Sequence, residues 1–190
     1  RQTTDLEVRS STLLGRAKYQ ANLYYCSKLK KFSNVRLSGL AIHIGSQLTD
    51  VEPFRKAFTK ISELVRELRT QGHEIFTLDL GGGIGIPYSD YQDTINLKIY
   101  ADLVRDTLGN LGCEFEFEPG RVIVGNAGVL VSSVIYRKQA EKRNFLIIDG
   151  AMNDLIRPAM YDAHHDIIPI KQGNKSPRIT VDIVGPICET

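Results

Sequence analysis

This chain of 190 residues lacks an excess of charge of either sign and lacks any dense run of basic residues. Its formal net charge is +2, and no Lys/Arg cluster is interleaved with aromatic side chains. Nucleic-acid surfaces show such clusters, so we expect no nucleic-acid partner. The apolar runs are far shorter than the ~20 residues that cross a bilayer, and Arg1–Asp5 contains no apolar signal core. We therefore expect no membrane association.

Cysteine is also scarce. Cys26, Cys113 and Cys188 are widely spaced and form no Cys-x-x-Cys pair. This pattern indicates free thiols in a reducing compartment rather than a disulfide framework, and it predicts a cytoplasmic protein. His164 and His165 are adjacent, so their side chains diverge, and no further ligand stands at a metal-binding spacing. We expect no metal site.

What the chain does contain is an alternation of strand and helix patterns over its first two thirds. Short apolar runs predict strands at Leu37–Ile44, Ile75–Leu80 and Cys113–Glu118. Helical spacing predicts three helices. The first covers about residues 9–31, the second runs from an expected N-cap at Asp50 to Gly72, and the third lies near Asn96–Leu108. Strands alternating with helices over short connections predict an α/β fold with a parallel sheet, either a barrel or a doubly wound sheet.

After Gly128 the pattern changes. Three β-rich runs follow, with no helix expected between them, at Val129–Tyr136, Phe145–Asp149 and Ile179–Val184. We predict a domain boundary near residue 128, with a partial domain of α/β units over residues 1–128 and a partial, mainly antiparallel β domain over residues 129–190. Three β/α units are too few to close a barrel of eight strands. We therefore expect both domains to be incomplete and the chain to be a piece of a longer polypeptide.

Two predicted strands end in motifs that bear on chemistry. The strand Ile75–Leu80 is followed by Gly81-Gly82-Gly83-Ile84-Gly85, and the strand Cys113–Glu118 ends in Glu118-Pro119-Gly120-Arg121. A dinucleotide fingerprint is disfavoured because Pro87 and a polar loop follow the glycines instead of a helix. A tight turn remains an alternative, but three consecutive glycines favour a cradle in which backbone N–H groups approach a phosphate.

Four polar side chains near these strand ends have a functional interpretation, and two of them, Glu118 and His43, also have a structural one. Glu118 either caps the next helix or keeps a heteroaromatic ring nitrogen protonated. Arg121 offers a planar fork for a phosphate or a carboxylate. His43 is either a core residue with its hydrogen bonds made or a side chain that stacks on a ring. The Ser46 hydroxyl suits a hydrogen bond to a phosphate. Gathered at one edge, these groups suit a phosphorylated, protonated heteroaromatic cofactor.

Two later stretches carry further candidates. Arg157 and Tyr161 are four residues apart and share one face of a helical turn, which suits a carboxylate ligand; a surface ion pair is an equal alternative. Cys188 stands beside Glu189, and its thiol is either a small buried hydrophobe or a general acid at a loop tip.

Taken in order, these motifs resemble the fold-type-III pyridoxal-phosphate-dependent decarboxylases of amino acids. The matching stretches are His43–Gln47, Leu80–Gly85, Glu118–Arg121, Met152–Pro158 with Tyr161, and Gly185–Glu189. Gln47, the run Asn153–Pro158 and the Cys-Glu pair resemble the branch that acts on diaminopimelate. The resemblance implies an eight-stranded (β/α) barrel followed by a mainly antiparallel β domain. Residues 1–128 would then be a partial α/β-barrel, cofactor-binding domain, and residues 129–190 a partial C-terminal β domain. It also implies decarboxylation of meso-2,6-diaminopimelate to L-lysine and CO₂, a step of lysine biosynthesis.

The same resemblance implies a role for each residue. Contacts to pyridoxal 5′-phosphate would come from His43, Ser46, Gly81, Gly82, Gly83, Glu118, Gly120 and Arg121. His43 would stack on the ring, and Glu118 would pair with the pyridine nitrogen. Contacts to the distal end of the substrate would come from Arg121, Arg157, Tyr161 and Glu189. Cys188 would be the proton donor in the active site of the partner subunit of a head-to-tail homodimer.

One feature of the family has no counterpart in this chain. The lysine that binds the cofactor aldehyde lies on the first barrel strand, typically as Lys-Ala-Asn, far upstream of the His43–Gln47 stretch. Gln20-Ala21-Asn22 echoes it on a predicted helix, so Lys18 is rejected, and the chain alone is expected to be inactive. Two alternatives remain: a decarboxylase of ornithine, arginine or carboxynorspermidine, and a catalytically inactive cofactor-binding protein.

Overall fold

The computed structural model describes the backbone of residues 6–7, 16–29, 31–89, 92–171 and 179–187, and side chains from Leu23 onward within these ranges. The chain forms two compact units. The first comprises residues 1–87 and 91–127, and the second comprises residues 88–90 and 128–190. Within the described ranges, no helix combines the length and the apolar composition needed to cross a bilayer.

The first unit is built on parallel strands. β1 (Leu6–Glu7) pairs with β2 (Val35–Arg36), and a separate sheet has the order β3 (Gly39–Ala41), β4 (Thr77–Asp79), β5 (Glu114–Glu116). Leu40 lies opposite Leu78, which lies opposite Phe115, and all of these pairings are parallel. The three predicted strands are therefore confirmed, with shorter hydrogen-bonded centres. Because β3, β4 and β5 are parallel, their carboxyl ends meet at one edge of the sheet.

The strands are connected by α1 (Arg16–Leu29), α2 (Glu52–Thr70), α3 (Leu97–Leu108) and a 3₁₀ turn (Gly109–Leu111), and a short helix, α4 (Arg121–Val124), follows β5. The predicted helix near Asn96–Leu108 is confirmed as α3, and the Asn96 side chain caps it by accepting a hydrogen bond from the Lys98 N–H at 2.9 Å. The predicted N-cap of α2 was wrong by one residue: Val51 is the N-cap. Asp50 acts from one position further out, where Oδ1 accepts from the Glu52 N–H at 3.1 Å.

The core of the first unit lies between α2, α3 and the sheet. The apolar face of α2 is buried at Phe54, Phe58, Ile61, Leu64, Val65 and Leu68. Phe54 and Tyr100 pack edge to face with ring centroids 5.1 Å apart, which joins α2 to α3. At the end of α2, the Arg69 guanidinium donates to the carbonyls of Ile75 and Leu111. Arg69 thereby fastens α2 to the segments that enter β4 and β5.

The second unit contains β6 (Val134–Gln139), β7 (Asn144–Ile148) and β8 (Asp182–Val184) in that order across one sheet. β6 and β7 form an antiparallel pair, but β7 and β8 are parallel. The prediction of a mainly antiparallel sheet was therefore wrong for this second pair. The cause is the long connection from Asp149 to Val181, which crosses over rather than turning back as a hairpin. That connection includes a short helix, α5 (Arg157–Tyr161), at the position of the predicted helical turn.

The two units differ in how far they bury apolar surface. The most buried hydrophobic side chains of the described chain all lie in the first unit. In the second unit Val129, Ile135 and Ile168 are 90%, 64% and 76% exposed. The described residues of the second unit therefore build a sheet without covering its apolar side chains.

The burial of α2 predicts a large effect of truncation at its centre. Leu64→Ala removes a fully buried side chain and leaves a cavity, so the free energy of unfolding of the full-length polypeptide should fall by about 2–5 kcal/mol. Glu63→Ala, at the exposed neighbouring position, should change it by less than about 0.5 kcal/mol. Urea denaturation measures both values. Equal effects of the two variants would contradict the position of α2 in the core.

Candidate functional site

The loops that follow β3, β4 and β5 are joined by backbone hydrogen bonds. The Leu48 N–H donates to the Gly83 carbonyl at 2.9 Å, and the Gly85 N–H donates to the Leu48 carbonyl at 2.8 Å. On the other side, the Glu118 N–H donates to the Gly81 carbonyl at 2.8 Å. The loop after β4 is therefore held between the loops after β3 and β5. We call these three loops, residues 43–48, 81–86 and 117–121, the strand-end cluster.

The glycine run is required by the close approach of backbones within this cluster. A Cβ at Gly81 would overlap the carbonyl oxygen of Ile42, and one at Gly82 would overlap the carbonyl oxygen of Glu118. Gly83 meets the Gly45 carbonyl in the same way, and its φ of 93° lies in the left-handed region. The run is thus more than a tight turn, because all three residues lie against neighbouring loops.

The run also leaves backbone donors available. The Gly81 N–H donates to Oδ1 of Asp79 at 2.8 Å. Within the described part of the chain, the N–H groups of Gly82 and Gly83 donate to no protein acceptor. Paired N–H groups of this kind suit an oxyanion such as a phosphate. The phosphate cradle stays a prediction, and these two amides are the groups that would form it.

Three of the predicted polar residues surround the glycine run. The His43 ring is exposed, with Nδ1 3.4 Å from the position that a Cβ of Gly81 would take. Ser46 is exposed in the adjacent loop. Glu118 is exposed at the end of β5, and it does not cap α4, whose N-cap is Gly120 without a side-chain hydrogen bond. The capping interpretation of Glu118 is therefore wrong.

Arg121 is held by a neutral group. Its Nη1 donates to Oε1 of Gln47 at 2.9 Å. Gln47 in turn pairs with the peptide of Ile86: Nε2 donates to the Ile86 carbonyl at 2.6 Å and Oε1 accepts from the Ile86 N–H at 3.3 Å. Among the carboxylates that the structure describes, none forms a salt bridge with Arg121. The half-buried guanidinium therefore keeps its charge available for an external anion.

Sequence reasoning missed Asp79, which is buried in β4 with 6% of its surface exposed. Its carboxylate holds the Gly81 N–H, and its carbonyl accepts from the Ile42 N–H at 2.9 Å. A buried carboxylate needs such a partner. The available signal was an acidic residue in an apolar strand, two positions before the first glycine.

In the second unit, α5 contains both Arg157 and Tyr161, which confirms that they lie on one helical turn. The Arg157 Nη1 donates to the Tyr88 hydroxyl at 3.1 Å, and the guanidinium carbon lies 5.7 Å from the Tyr88 ring centroid. Tyr88 was not predicted, because its position in the polar loop after the glycine run gave no pattern that pointed to Arg157. Tyr161 is 68% exposed.

The other predicted site residues of the second unit, Cys188 and Glu189, lie outside the described residues. The stretch that leads to them is described. A Cβ at Gly185 would overlap the carbonyl oxygen of Gly150, and Ala151 lies beside it. Two stretches with predicted functional residues, the one after β7 and the one after β8, are therefore in contact.

The start of the stretch after β7 is fixed by Asp149. The Ser132 hydroxyl donates to Oδ1 of Asp149 at 2.5 Å, and the Ser133 N–H donates to the same oxygen at 2.7 Å. These bonds, that of Ser132 first, lower the pKa of the Asp149 carboxyl below its usual range. Its contribution to stability is therefore present above the ordinary carboxyl range and is lost as pH falls through the lowered pKa.

The fold and the strand-end cluster define a protein of the α/β class, with a polar site at the carboxyl edge of a parallel sheet and a separate β unit. The model of one family, described as pyridoxal-dependent decarboxylase, C-terminal sheet domain, matches residues 18–190. The chain belongs to this family of pyridoxal-dependent decarboxylases.

Individual proteins agree with this assignment. The chain is 42% identical over 164 residues to diaminopimelate decarboxylase of Zymomonas mobilis, covering 86% of this chain and 38% of that protein. The crystal structure of diaminopimelate decarboxylase from Helicobacter pylori with L-lysine matches with a TM-score of 0.82 at 36% identity, over 90% of this chain and 42% of that one. Lysine/ornithine decarboxylase from Vibrio vulnificus, complexed with cadaverine, matches with a TM-score of 0.84 at 25% identity, over 99% of this chain and 51% of that one. The chain thus spans roughly two fifths to one half of these relatives.

The packing of the glycine run predicts a steric effect. Gly82→Ala places a methyl group on the carbonyl oxygen of Glu118, so it should lower the free energy of unfolding of the full-length polypeptide by about 1–3 kcal/mol. Gly128→Ala is the matched control, because no atom lies within 4 Å of its Cβ position and its φ is not positive. Equal stability of the two variants in denaturant would contradict the close packing of the strand-end cluster.

The hydrogen bonds to Asp149 predict a titration shift. Ser132→Ala removes the largest cause of the lowered pKa of Asp149, so that pKa should rise toward the ordinary carboxyl value. Titration of the side-chain carboxyl carbons by NMR measures it. Asp102, whose pKa is lowered by bonds from Lys98 and Arg105, is the internal reference and should not move. An unchanged Asp149 titration would mean that the Ser132 bond is not formed in solution.

Proposed function

We propose that the full-length polypeptide is a pyridoxal-phosphate-dependent decarboxylase that converts meso-2,6-diaminopimelate to L-lysine and CO₂. The observation that carries the proposal is the strand-end cluster, in a chain of the pyridoxal-dependent decarboxylase family. There the N–H groups of Gly82 and Gly83 donate to no acceptor among the described residues, and Gly82 lies against the backbone of Glu118, which is an exposed residue. The choice of substrate is supported by the relative from Zymomonas mobilis at 42% identity.

The residues of the cluster fit the cofactor. The N–H groups of Gly82 and Gly83, the Ser46 hydroxyl and the Arg121 guanidinium would bind its phosphate, and Gly81 and Gly120 would complete the cofactor-binding loops. His43 would stack on the ring, which its exposed position beside Gly81 allows. The Glu118 carboxylate would accept a hydrogen bond from the protonated pyridine nitrogen and so keep that nitrogen protonated. When bound, pyridoxal phosphate supplies a ring that accepts the electron pair released as the substrate loses its carboxylate.

Residues beyond the cluster would select the substrate and supply a proton. Arg121, Arg157 and Tyr161 would bind the distal carboxylate of diaminopimelate, and Glu189 would bind its distal amino group. A planar guanidinium suits this task, since it offers two parallel donors to a carboxylate. The Cys188 thiol would deliver a proton to the substrate carbon that has lost CO₂.

The proposal extends to architecture. The first unit would be part of an eight-stranded (β/α) barrel that binds the cofactor, over residues 1–128, and residues 129–190 would be part of the C-terminal β domain. A head-to-tail homodimer would bring Cys188 to the active site of the partner subunit. A cytoplasmic location is supported by the free thiols of Cys26 and Cys113.

A second candidate is decarboxylation of a related substrate without a distal carboxylate, such as ornithine. It is supported by the similarity to lysine/ornithine decarboxylase of Vibrio vulnificus over 99% of this chain. The lower identity of that protein, 25% against 42%, favours diaminopimelate.

The third candidate is an inactive cofactor-binding protein, since no residue of this chain matches the lysine that binds the aldehyde. An absorbance band near the visible edge that borohydride abolishes would exclude this third candidate.

The substrate assignment predicts the effect of removing the Arg157 charge. Arg157→Leu in the full-length polypeptide should lower kcat/KM for diaminopimelate at least about tenfold, because a charge-assisted pair with a carboxylate is lost. Turnover of ornithine, if any, should be unchanged, because ornithine has no distal carboxylate. Release of CO₂ from each amino acid measures both rates.

Arg137→Leu is the control for this experiment, since Arg137 is an exposed arginine of β6 in the same unit. It should leave both rates unchanged. Preference of the unaltered polypeptide for ornithine would contradict the assigned substrate, and an unchanged rate of Arg157→Leu on diaminopimelate would contradict the assigned role of Arg157.

A further inference from the structure

Gln47 is placed to determine both the position and the effective charge of Arg121. We infer that Gln47 is the positioning residue of the strand-end cluster: it fixes the Arg121 guanidinium through a neutral acceptor and so leaves its positive charge for an anionic group of the ligand. The inference rests on the proposed function for the identity of that ligand. The geometry from which it follows lies entirely within the first unit.

The side chain of Gln47 is fully used by its neighbours. Its amide pairs with the Ile86 peptide in both directions, donating at 2.6 Å and accepting at 3.3 Å, and the same Oε1 accepts from Arg121 at 2.9 Å. Two N–H donors thus meet one atom, which must be the amide oxygen, while the Ile86 carbonyl requires the amide nitrogen. Only a carboxamide supplies both a donor and an acceptor here, and no carboxylate or hydrocarbon does.

The backbone of the same loop supports this position. Gln47 has a φ of 59°, in the left-handed region that a residue other than glycine rarely adopts. The next residue, Leu48, forms an isolated parallel bridge with Ile84. This bridge, together with the side-chain pairing to Ile86, compensates the unfavourable φ. The loop after β3 is therefore locked onto the loop after β4 at the position from which Gln47 reaches Arg121.

The third side of the arrangement comes from α4. A Cβ at Gly125, the C-cap of α4, would lie 2.5 Å from Cδ1 of Ile86, so this helix packs directly on the Ile86 side chain. The Gly125 N–H donates to the Arg121 carbonyl at 2.7 Å. Ile86 thus contacts α4 through its side chain and Gln47 through its peptide, and Gln47 contacts Arg121. These contacts fix both the backbone of Arg121 in α4 and its guanidinium group.

The neutral acceptor has an electrostatic consequence. A carboxylate at position 47 would form an ion pair with Arg121 and compete with any bound anion, whereas an amide holds the guanidinium without neutralising it. Two anions are proposed for Arg121, the cofactor phosphate and the distal carboxylate of the substrate. These two share the chemistry that Arg121 recognises, and separate measurements distinguish them.

Two substitutions separate positioning from simple structural support. Gln47→Glu retains an acceptor for Arg121 and for the Ile86 N–H but adds a negative charge. Gln47→Leu removes all three hydrogen bonds and adds no charge. A purely structural role predicts that Gln47→Leu is the worse variant in every assay. The positioning role predicts the reverse order for anion binding, with Gln47→Glu weaker than Gln47→Leu and at least about tenfold weaker than the unaltered protein.

The ligand measurement uses the apo form of the full-length polypeptide and two probes. Dissociation constants are measured for pyridoxal 5′-phosphate and for pyridoxal, which lacks the phosphate, and KM and kcat are measured for diaminopimelate. If the substitutions weaken binding of pyridoxal 5′-phosphate but not of pyridoxal, Arg121 contacts the phosphate. A raised KM with an unchanged dissociation constant for pyridoxal 5′-phosphate assigns it to the substrate carboxylate. The inference is supported if Gln47→Glu is weaker than Gln47→Leu in either assay. It is overturned if Gln47→Leu is the weaker variant in both assays.

A spectroscopic measurement makes the inference independent of the ligand. Side-chain NMR of arginine-labelled apo protein should show a slowly rotating Arg121 guanidinium in the unaltered protein and in Gln47→Glu, and a rapidly rotating one in Gln47→Leu. Gln139→Glu, the same chemical change at an exposed position of β6, should leave the Arg121 signals and the dissociation constants unchanged. Identical Arg121 signals in the unaltered protein and Gln47→Leu would overturn the inference. Failure of the unaltered protein to bind pyridoxal 5′-phosphate would instead contradict the proposed function.

Discussion

The close approach of three backbones at the carboxyl edge of the parallel sheet is the constraint on which the candidate site depends. The loops after β3 and β5 both touch the loop after β4, and at Gly81, Gly82 and Gly83 a Cβ would overlap a carbonyl oxygen of a neighbouring loop. Side chains are excluded from this seam for steric reasons, whatever ligand is bound. The glycine run is therefore needed to form the cluster before it is needed to hold a phosphate.

The same constraint determines which groups remain available for chemistry. Asp79 takes up the Gly81 N–H, and Leu48 takes up the Gly85 N–H, so both act as internal supports. The N–H groups of Gly82 and Gly83 are left without a protein acceptor in the described chain, while Arg121 is held by an amide rather than a carboxylate. Donors and positive charge are thus concentrated at the edge where a phosphorylated ligand would bind, and Glu118 contributes the carboxylate there.

Much of the first unit could be predicted from local patterns. The helices α2 and α3 and the three parallel strands follow from periodicity and short connections, which act over neighbouring residues. The mixed sheet of the second unit could not, because pairing of β7 with β8 is decided by a long crossover. Gln47, Asp79 and Tyr88 gain their roles from partners such as Arg121, Gly81 and Arg157. Two of these pairs join residues far apart in the sequence, and no local pattern records them.

The central claim is that the strand-end cluster binds pyridoxal 5′-phosphate through the backbone of Gly82 and Gly83 and through Glu118. A crystal structure of the full-length polypeptide with the cofactor tests it most directly. The account predicts phosphate oxygens at hydrogen-bond distance, about 2.7–3.2 Å, from the Gly82 and Gly83 nitrogens. It also predicts a Glu118 carboxylate oxygen at the same distance from the ring nitrogen. A bound cofactor whose phosphate contacts neither glycine would contradict the account.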